Sequence, residues 1–147
     1  MDSPKEVFEV IKSKESIEIT FSSTLENIDR SCIEINDFLS SASENIASEL
    51  FAINLVTREG LSNAVRHGNK KDPEKTVHLF LEIIEDKSLK MRIEDQGDGF
   101  NWRELDEFLL DEDSESGRGL IIIETYFTSF GYNDKGNVLY LQKDFFI

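Results

Sequence analysis

Residues 76 to 94 alternate apolar and polar side chains almost without a break, and this pattern restricts the fold more than any other feature of the chain. Val77, Leu79, Leu81 and Ile83, then Leu89, Met91 and Ile93, are separated by single residues, with Lys90, Arg92 and Glu94 on the opposite parity. Successive side chains of a strand point to opposite faces, so both runs carry one face that must be buried. The polar turn Glu85-Asp86-Lys87-Ser88 joins them as an antiparallel hairpin. Ile17, Ile19 and Phe21 alternate with Glu18, Thr20 and Ser22 and predict an earlier strand. Two more, Thr128 to Tyr132 and Val138 to Lys143, flank the turn Asn133-Asp134-Lys135-Gly136.

The cover for this sheet lies between the strands. Leu25, Ile28, Ile33, Ile35 and Leu39 recur at roughly helical spacing and predict a helix from about Leu25 to Ser40, with Ser23 or Thr24 as its N-cap. Ala47, Leu50, Phe51, Asn54, Leu55, Leu61 and Val65 trace a second, longer helix from about Glu44 to His67, with Gly68 as its stop. A short helix is expected near Trp102 to Leu110, and another from Gly119 to about Phe127. The order β-α-α-β-β-α-β-β, with strands in antiparallel pairs and helices clustered between them, predicts a two-layer α+β sandwich rather than alternating βαβ units.

One domain accounts for all 147 residues, since 39% are hydrophobic, 11 of them Phe, and no repeat or proline-rich linker divides the chain. Lys and Arg number 16 against 30 Asp and Glu, a net charge of −14 that repels nucleic-acid phosphates and anionic lipid and attracts a basic protein partner. Direct nucleic-acid binding and membrane binding are therefore not expected. Cys32 is the single cysteine, which excludes an internal disulfide and any multi-cysteine zinc site. Charges at Lys5, Glu6, Glu9, Lys12, Lys14 and Glu15 interrupt any secretory signal, and the longest strongly apolar run, Leu120 to Ile123, is far too short to span a bilayer. A reducing cytoplasm is the expected location.

Three constellations could carry chemistry. In Glu59-Gly-Leu-Ser-Asn63 a carboxylate and a carboxamide stand at i and i+4 on one helix face. The carboxamide oxygen suits Mg²⁺ and the carboxylate suits a general base. Asp95-Gln-Gly97-Asp98-Gly99-Phe100 follows a strand end, where Asp95 can accept from an exocyclic amino group while Gly97 and Gly99 allow close backbone approach to a flat ligand. Ser116-Gly117-Arg118-Gly119-Leu120 precedes a helix, whose first amides suit phosphate with Arg118 as a forked donor. Taken singly, these stretches also read as a solvated helix face, an Asp-Gly turn and glycine punctuation.

In this order and on these elements, the three stretches resemble the N, G1 and G2 boxes of the GHKL ATPase superfamily, and most closely its small single-domain members, the anti-sigma-factor serine kinases. The resemblance extends from about Ile17 to Lys143. It implies a Bergerat fold with a mixed, mostly antiparallel sheet, a core of about 17–143 and a lid of about 100–118. It implies ATP and Mg²⁺ as cofactors, with Asp95 on the adenine amino group, Gly97 and Gly99 shaping the base pocket, Asn63 holding the metal, and Gly117, Arg118, Gly119 and Leu120 around the triphosphate. Glu59 would be the catalytic base toward a serine or threonine hydroxyl. The implied partners are a sigma factor, an anti-anti-sigma antagonist as phosphorylation substrate, and a second copy in a homodimer.

The chain differs from the family pattern in carrying Asn137 where similar proteins often have Thr. Its lid is also unusually acidic, with six acids from Asp106 to Glu115, which are expected to face solvent or a basic partner. Two other functions remain open: a binding module that keeps a nucleotide as a structural ligand, and the ATP-binding domain of a histidine kinase. The only histidines, His67 and His78, lie inside the domain, which counts against the last. His67 is expected to interact with its helix C-terminus. Trp102, Phe145 and Phe146 are expected to pack, and Cys32 to be structural.

Overall fold

The computed structural model describes residues 6–42, 44–99 and 115–145, the side chains of 115–120 excepted. The chain runs β1 (Phe8–Lys12), β2 (Ser16–Ser22), α1 (Leu25–Ser40), α2 (Glu44–Ala47), α3 (Leu50–Asn63), β3 (Thr76–Ile84), β4 (Ser88–Glu94), α4 (Glu115–Tyr126), β5 (Ser129–Tyr132) and β6 (Val138–Asp144). The strands form one sheet in the order β1-β2-β3-β4-β6-β5. Helices cover one of its faces, giving the expected α+β sandwich.

The sheet differs from the mixed one implied by resemblance, because every pairing among the described strands is antiparallel. The connections explain this. Two long helices separate β2 from β3, so the chain returns to the sheet at the opposite end from a single crossover. A single helix separates β4 from β5, which therefore run the same way, but β6 lies between them and pairs with both.

Burial follows the alternation. Ile17, Ile19, Phe21, Val77, Leu79, Leu81 and Leu89 are fully buried beneath Ile35 and Leu39 of α1 and Ile53, Val56 and Leu61 of α3. The central helix α3 packs against α1 on one side and α4 on the other. Thr24 caps α1 by accepting from the Asn27 amide at 3.2 Å, and α1 spans the expected residues. Glu85 and Asp86 make the β3–β4 turn in the left-handed region, at φ of 53° and 57°, which matches the twist of the strands it joins.

Three local expectations are corrected. The helix expected from 44 to 67 breaks after Ala47, where the Ser48 hydroxyl donates to the Asn45 carbonyl at 2.9 Å and competes with helical bonding. It resumes at Leu50 and ends in a π turn, Ala64–Gly68. The charged N-terminal stretch contains an edge strand, β1, in which Phe8 and Val10 pair with Phe21 and Ile19. The last helix begins at Glu115, before the expected Gly119. The short helix expected at 102–110 lies outside the described residues. No helix among the described residues is long and apolar enough to cross a membrane.

Candidate functional site

The end of α3 and the end of β4 meet, and the π turn makes the meeting possible. In that turn the Asn69 amide reaches back five residues to the Ala64 carbonyl at 2.8 Å, widening the helix where a regular turn would continue. The widened turn swings Gly68 beneath Asp95. A Cβ at position 68 would collide with the Asp95 carboxylate, and one at position 97 would collide with the Gly68 carbonyl. Gly99, at φ +85°, passes equally close to the Lys135 carbonyl in the β5–β6 turn. Position 99 therefore requires glycine both for its backbone conformation and for space.

Asp95 is held at its amide, its carbonyl and one carboxylate oxygen. Its Oδ1 accepts the Gly97 amide at 2.8 Å, its own amide donates to the Asn137 carbonyl at 2.9 Å, and its carbonyl accepts from Asn137 Nδ2 at 3.1 Å. Only 9% of the residue is exposed. Burial raises the carboxyl above its ordinary pKa, and the Gly97 amide and the Lys135 ammonium offset part of that rise. The nearby Tyr132 phenol is pushed far up, by its burial first and by the Asp95 carboxylate second. A carboxylate that burial disfavours gains from a ligand's N–H donors, because they replace the lost water.

Asn69, fully buried, ties this corner together. Its Nδ2 donates to Ser23 Oγ at 2.6 Å and to the Thr76 carbonyl at 2.9 Å, while its Oδ1 accepts the Gln96 amide at 2.7 Å. One side chain thus fixes the end of β2, the start of β3 and the residue after Asp95. Local spacing assigns neither Asn69 nor Asn137 to the site, because a polar side chain that bonds distant backbone leaves no period to read.

Glu59 and Asn63 sit on the last turns of α3, both half-buried, with His67 exposed beyond them. Gly60 lets this turn approach the sheet, since a Cβ there would stand 2.6 Å from Ile93 Cδ1. Gly117, Arg118, Gly119 and Leu120 occupy the first turns of α4 rather than a loop before it. The amide of Gly117 is still within the first turn, where amides lack intrahelical acceptors. Residues 100–114 of the expected lid and Trp102 lie outside the described residues, and the lid's expected end at 118 falls inside α4. Cys32 is half-buried, and burial raises its thiol pKa, as suits an unreactive structural thiol.

The residues fit an adenine nucleotide at Asp95, a nearly buried carboxylate whose ionised form burial disfavours and which the N–H donors of a base would satisfy. No group of three or more His, Cys, Asp or Glu able to hold a metal occurs among the described residues. Mg²⁺ at nucleotide sites characteristically takes most of its ligands from phosphate and water, and the Asn63 carboxamide would supply one protein oxygen.

The sequence matches the histidine kinase-like ATPase domain family over residues 21–143. It is 30% identical over 118 residues to an anti-sigma F factor of Clostridium perfringens (strain 13 / Type A), covering 76% of this chain and 83% of that protein. It is 32% identical over 102 residues to an anti-sigma F factor of Geobacillus sp. (strain WCH70), covering 65% of this chain and 69% of that protein.

Proposed function

Since the chain belongs to the histidine kinase-like ATPase family, and so binds ATP, we propose that it is a Mg²⁺-dependent protein serine/threonine kinase and anti-sigma factor of a partner-switching pair. It sequesters a sigma factor and phosphorylates the anti-anti-sigma antagonist that would release it. The observation that carries this reading is the junction of Gly68 with Asp95, by which the helix bearing Glu59 and Asn63 is locked to the base-binding carboxylate. The anti-sigma F factors among its relatives support the choice of partners. The net charge of −14 favours a basic partner surface, and the cytoplasm is the compartment where such partners meet.

Asp95 accepts the adenine 6-amino group, with Gly97 and Gly99 against the base. Gly117, Arg118, Gly119 and Leu120, at the start of α4, face the phosphates. Asn63 holds Mg²⁺, whose chemistry is to neutralise charge on the phosphoryl oxygens. Glu59 takes the proton of the substrate hydroxyl as its oxygen bonds to the γ-phosphorus and the bond to the β-phosphate oxygen breaks, leaving ADP and a phosphoserine. A carboxylate at Glu59 favours a working kinase over a module that only retains nucleotide. Labelled phosphate transfer from Mg-ATP to a candidate antagonist is the test: Glu59→Ala and Asn63→Ala should abolish it, and transfer surviving in Glu59→Ala would remove the base assignment.

The protein acts as a homodimer, and the sheet face that the described helices leave uncovered supports this. Ile11, Glu18, Phe80, Arg92, Tyr140 and Gly131 form one continuous row across all six strands by direct pairing. Ile11 is 64% and Tyr140 48% exposed. Phe80 is flanked by Glu18 on one side and Arg92 on the other. A second copy turned over about an axis along β3 brings Phe80 onto Phe80, each Glu18 onto Arg92 and each Ile11 onto Tyr140.

A further inference from the structure

We propose that Asn137 is a positioning residue that sets the adenine selectivity of Asp95, an inference that rests on reading Asp95 as the acceptor of the 6-amino group. Asp95 is the first residue past β4, where the sheet stops holding the chain. The β4–β6 ladder ends at the pair of Glu94 with Val138. Asn137 extends it by one residue through its own backbone, whose carbonyl accepts the Asp95 amide at 2.9 Å. Any residue could make that bond. The second bond, from Asn137 Nδ2 to the Asp95 carbonyl at 3.1 Å, needs a side-chain donor of this reach.

The amide of Asn137 is itself fixed. Its Oδ1 accepts from Asn133 Nδ2 at 2.8 Å, which turns the Nδ2 group toward Asp95. Asn133 builds the β5–β6 turn, its Oδ1 accepting the amides of Gly136, Asn137 and Val138 at 2.9, 3.0 and 3.1 Å. The backbone of the turn is thus held by Asn133 Oδ1, and the Nδ2 donor of Asn137 is left to serve Asp95. The same peptide group is held from its other side, because the Gln96 amide donates to Asn69 Oδ1 at 2.7 Å. Both peptide groups bordering the Asp95 side chain are gripped by asparagines from elsewhere in the chain. With the backbone held on both sides and Oδ1 accepting the Gly97 amide at 2.8 Å, the carboxylate stays in one position and does not turn to follow a base that offers no donor.

The test compares ADP with IDP, whose 6-oxygen accepts where adenine donates, by calorimetry on the full chain in magnesium buffer. Asn137→Asp keeps the size of the side chain but removes the donor, and Asn137→Ala removes the side chain. Thermal unfolding identifies the folded variants. The wild-type chain should prefer ADP. In the folded variants ADP affinity should fall about tenfold, the effect of losing one hydrogen bond that orients a charged acceptor, with IDP affinity unchanged. A variant that keeps the wild-type preference, or loses both nucleotides equally, would overturn the proposal. A wild-type chain with no preference would overturn instead the assignment of Asp95 itself; a wild-type preference that disappears in Asp95→Asn would uphold it.

Discussion

Gly68 lies so close beneath the carboxylate of Asp95 that a methyl group at position 68 would occupy the space of the carboxyl group itself. Asp95 cannot retreat, because its backbone is bonded to Asn137 on both polar sides. Gly68→Ala should therefore displace either the π turn or the carboxylate, costing about 2 kcal/mol or more, as overpacked buried sites do, and ATP binding with it. Gly131 is the control, since nothing lies within 4 Å of a Cβ added there. Gly131→Ala should change stability by less than about 1 kcal/mol and leave ATP affinity intact. Denaturant unfolding and calorimetry of both variants check this contrast.

The buried carboxylate of Asp95 serves a ligand at a cost to the free protein. Its pKa is raised by burial, so the folded chain binds a proton more readily than the unfolded chain. Protons bound by the native state exceed those bound by the unfolded state just above the ordinary carboxylate range, and stability falls as pH rises through that window. At neutral pH the ionised group thus destabilises the empty site. Asp95→Asn should raise the melting temperature of the nucleotide-free protein by about 3 °C, the shift that about 1 kcal/mol produces in a domain of this size, while ADP binding is lost. Scanning calorimetry with and without ADP separates the two effects, and a lowered melting temperature would contradict the electrostatic account.

Whatever depended on a local period could be read from the chain. The helix Leu25–Ser40 and the strands of the β3–β4 hairpin follow from spacing alone, because their apolar faces are continuous. The glycines near Asp95 were legible as glycines, but their partners were not. Gly68 against Asp95 and Gly99 against Lys135 join positions far apart in sequence, and nothing in the spacing of either stretch encodes the meeting. The break at Ser48 and the π turn at Ala64 escaped for the opposite reason, since the apolar stripe continues through both. A stripe reports which face is buried and is blind to a widened turn that keeps the same face inward. Edge strand β1 was hidden by its charges, as only Phe8 and Val10 face the core.

Glu59 and Asn63 share a helix face yet should fail in different ways. Glu59 is assigned only a proton, so Glu59→Gln should lower phosphate transfer by roughly a hundredfold or more, the usual worth of a general base, and leave ATP affinity within about threefold. Asn63→Ala should lose both transfer and the magnesium-dependent part of ATP binding, because its oxygen is assigned to the ion. Binding measured with and without Mg²⁺ distinguishes them. Equal ATP affinities for the two variants in magnesium would show that Asn63 does not hold the metal.

The row across the open sheet face makes a reciprocal prediction. Neighbouring strands stand about 4.8 Å apart, so six of them offer a face roughly 24 Å wide, enough for an interface at the small end of stable dimers. The charge order decides the symmetry axis. Turning a second copy about an axis along the row would set Glu18 on Glu18 and Arg92 on Arg92, whereas the axis along β3 sets each acid on a base. Arg92→Glu should therefore yield monomers by repelling Glu18 of the second copy, and Glu18→Arg alone should do the same. The double variant restores opposite charges across the axis and should restore the dimer. Glu18 also bonds His78 Nε2 at 2.6 Å within its own chain, so Glu18→Arg carries a local cost that Arg92→Glu does not. Sedimentation of the three variants reads the outcome directly: a double variant that stays monomeric while Arg92→Glu alone dissociates would leave Arg92 at an interface but exclude Glu18 as its partner and β3 as the axis.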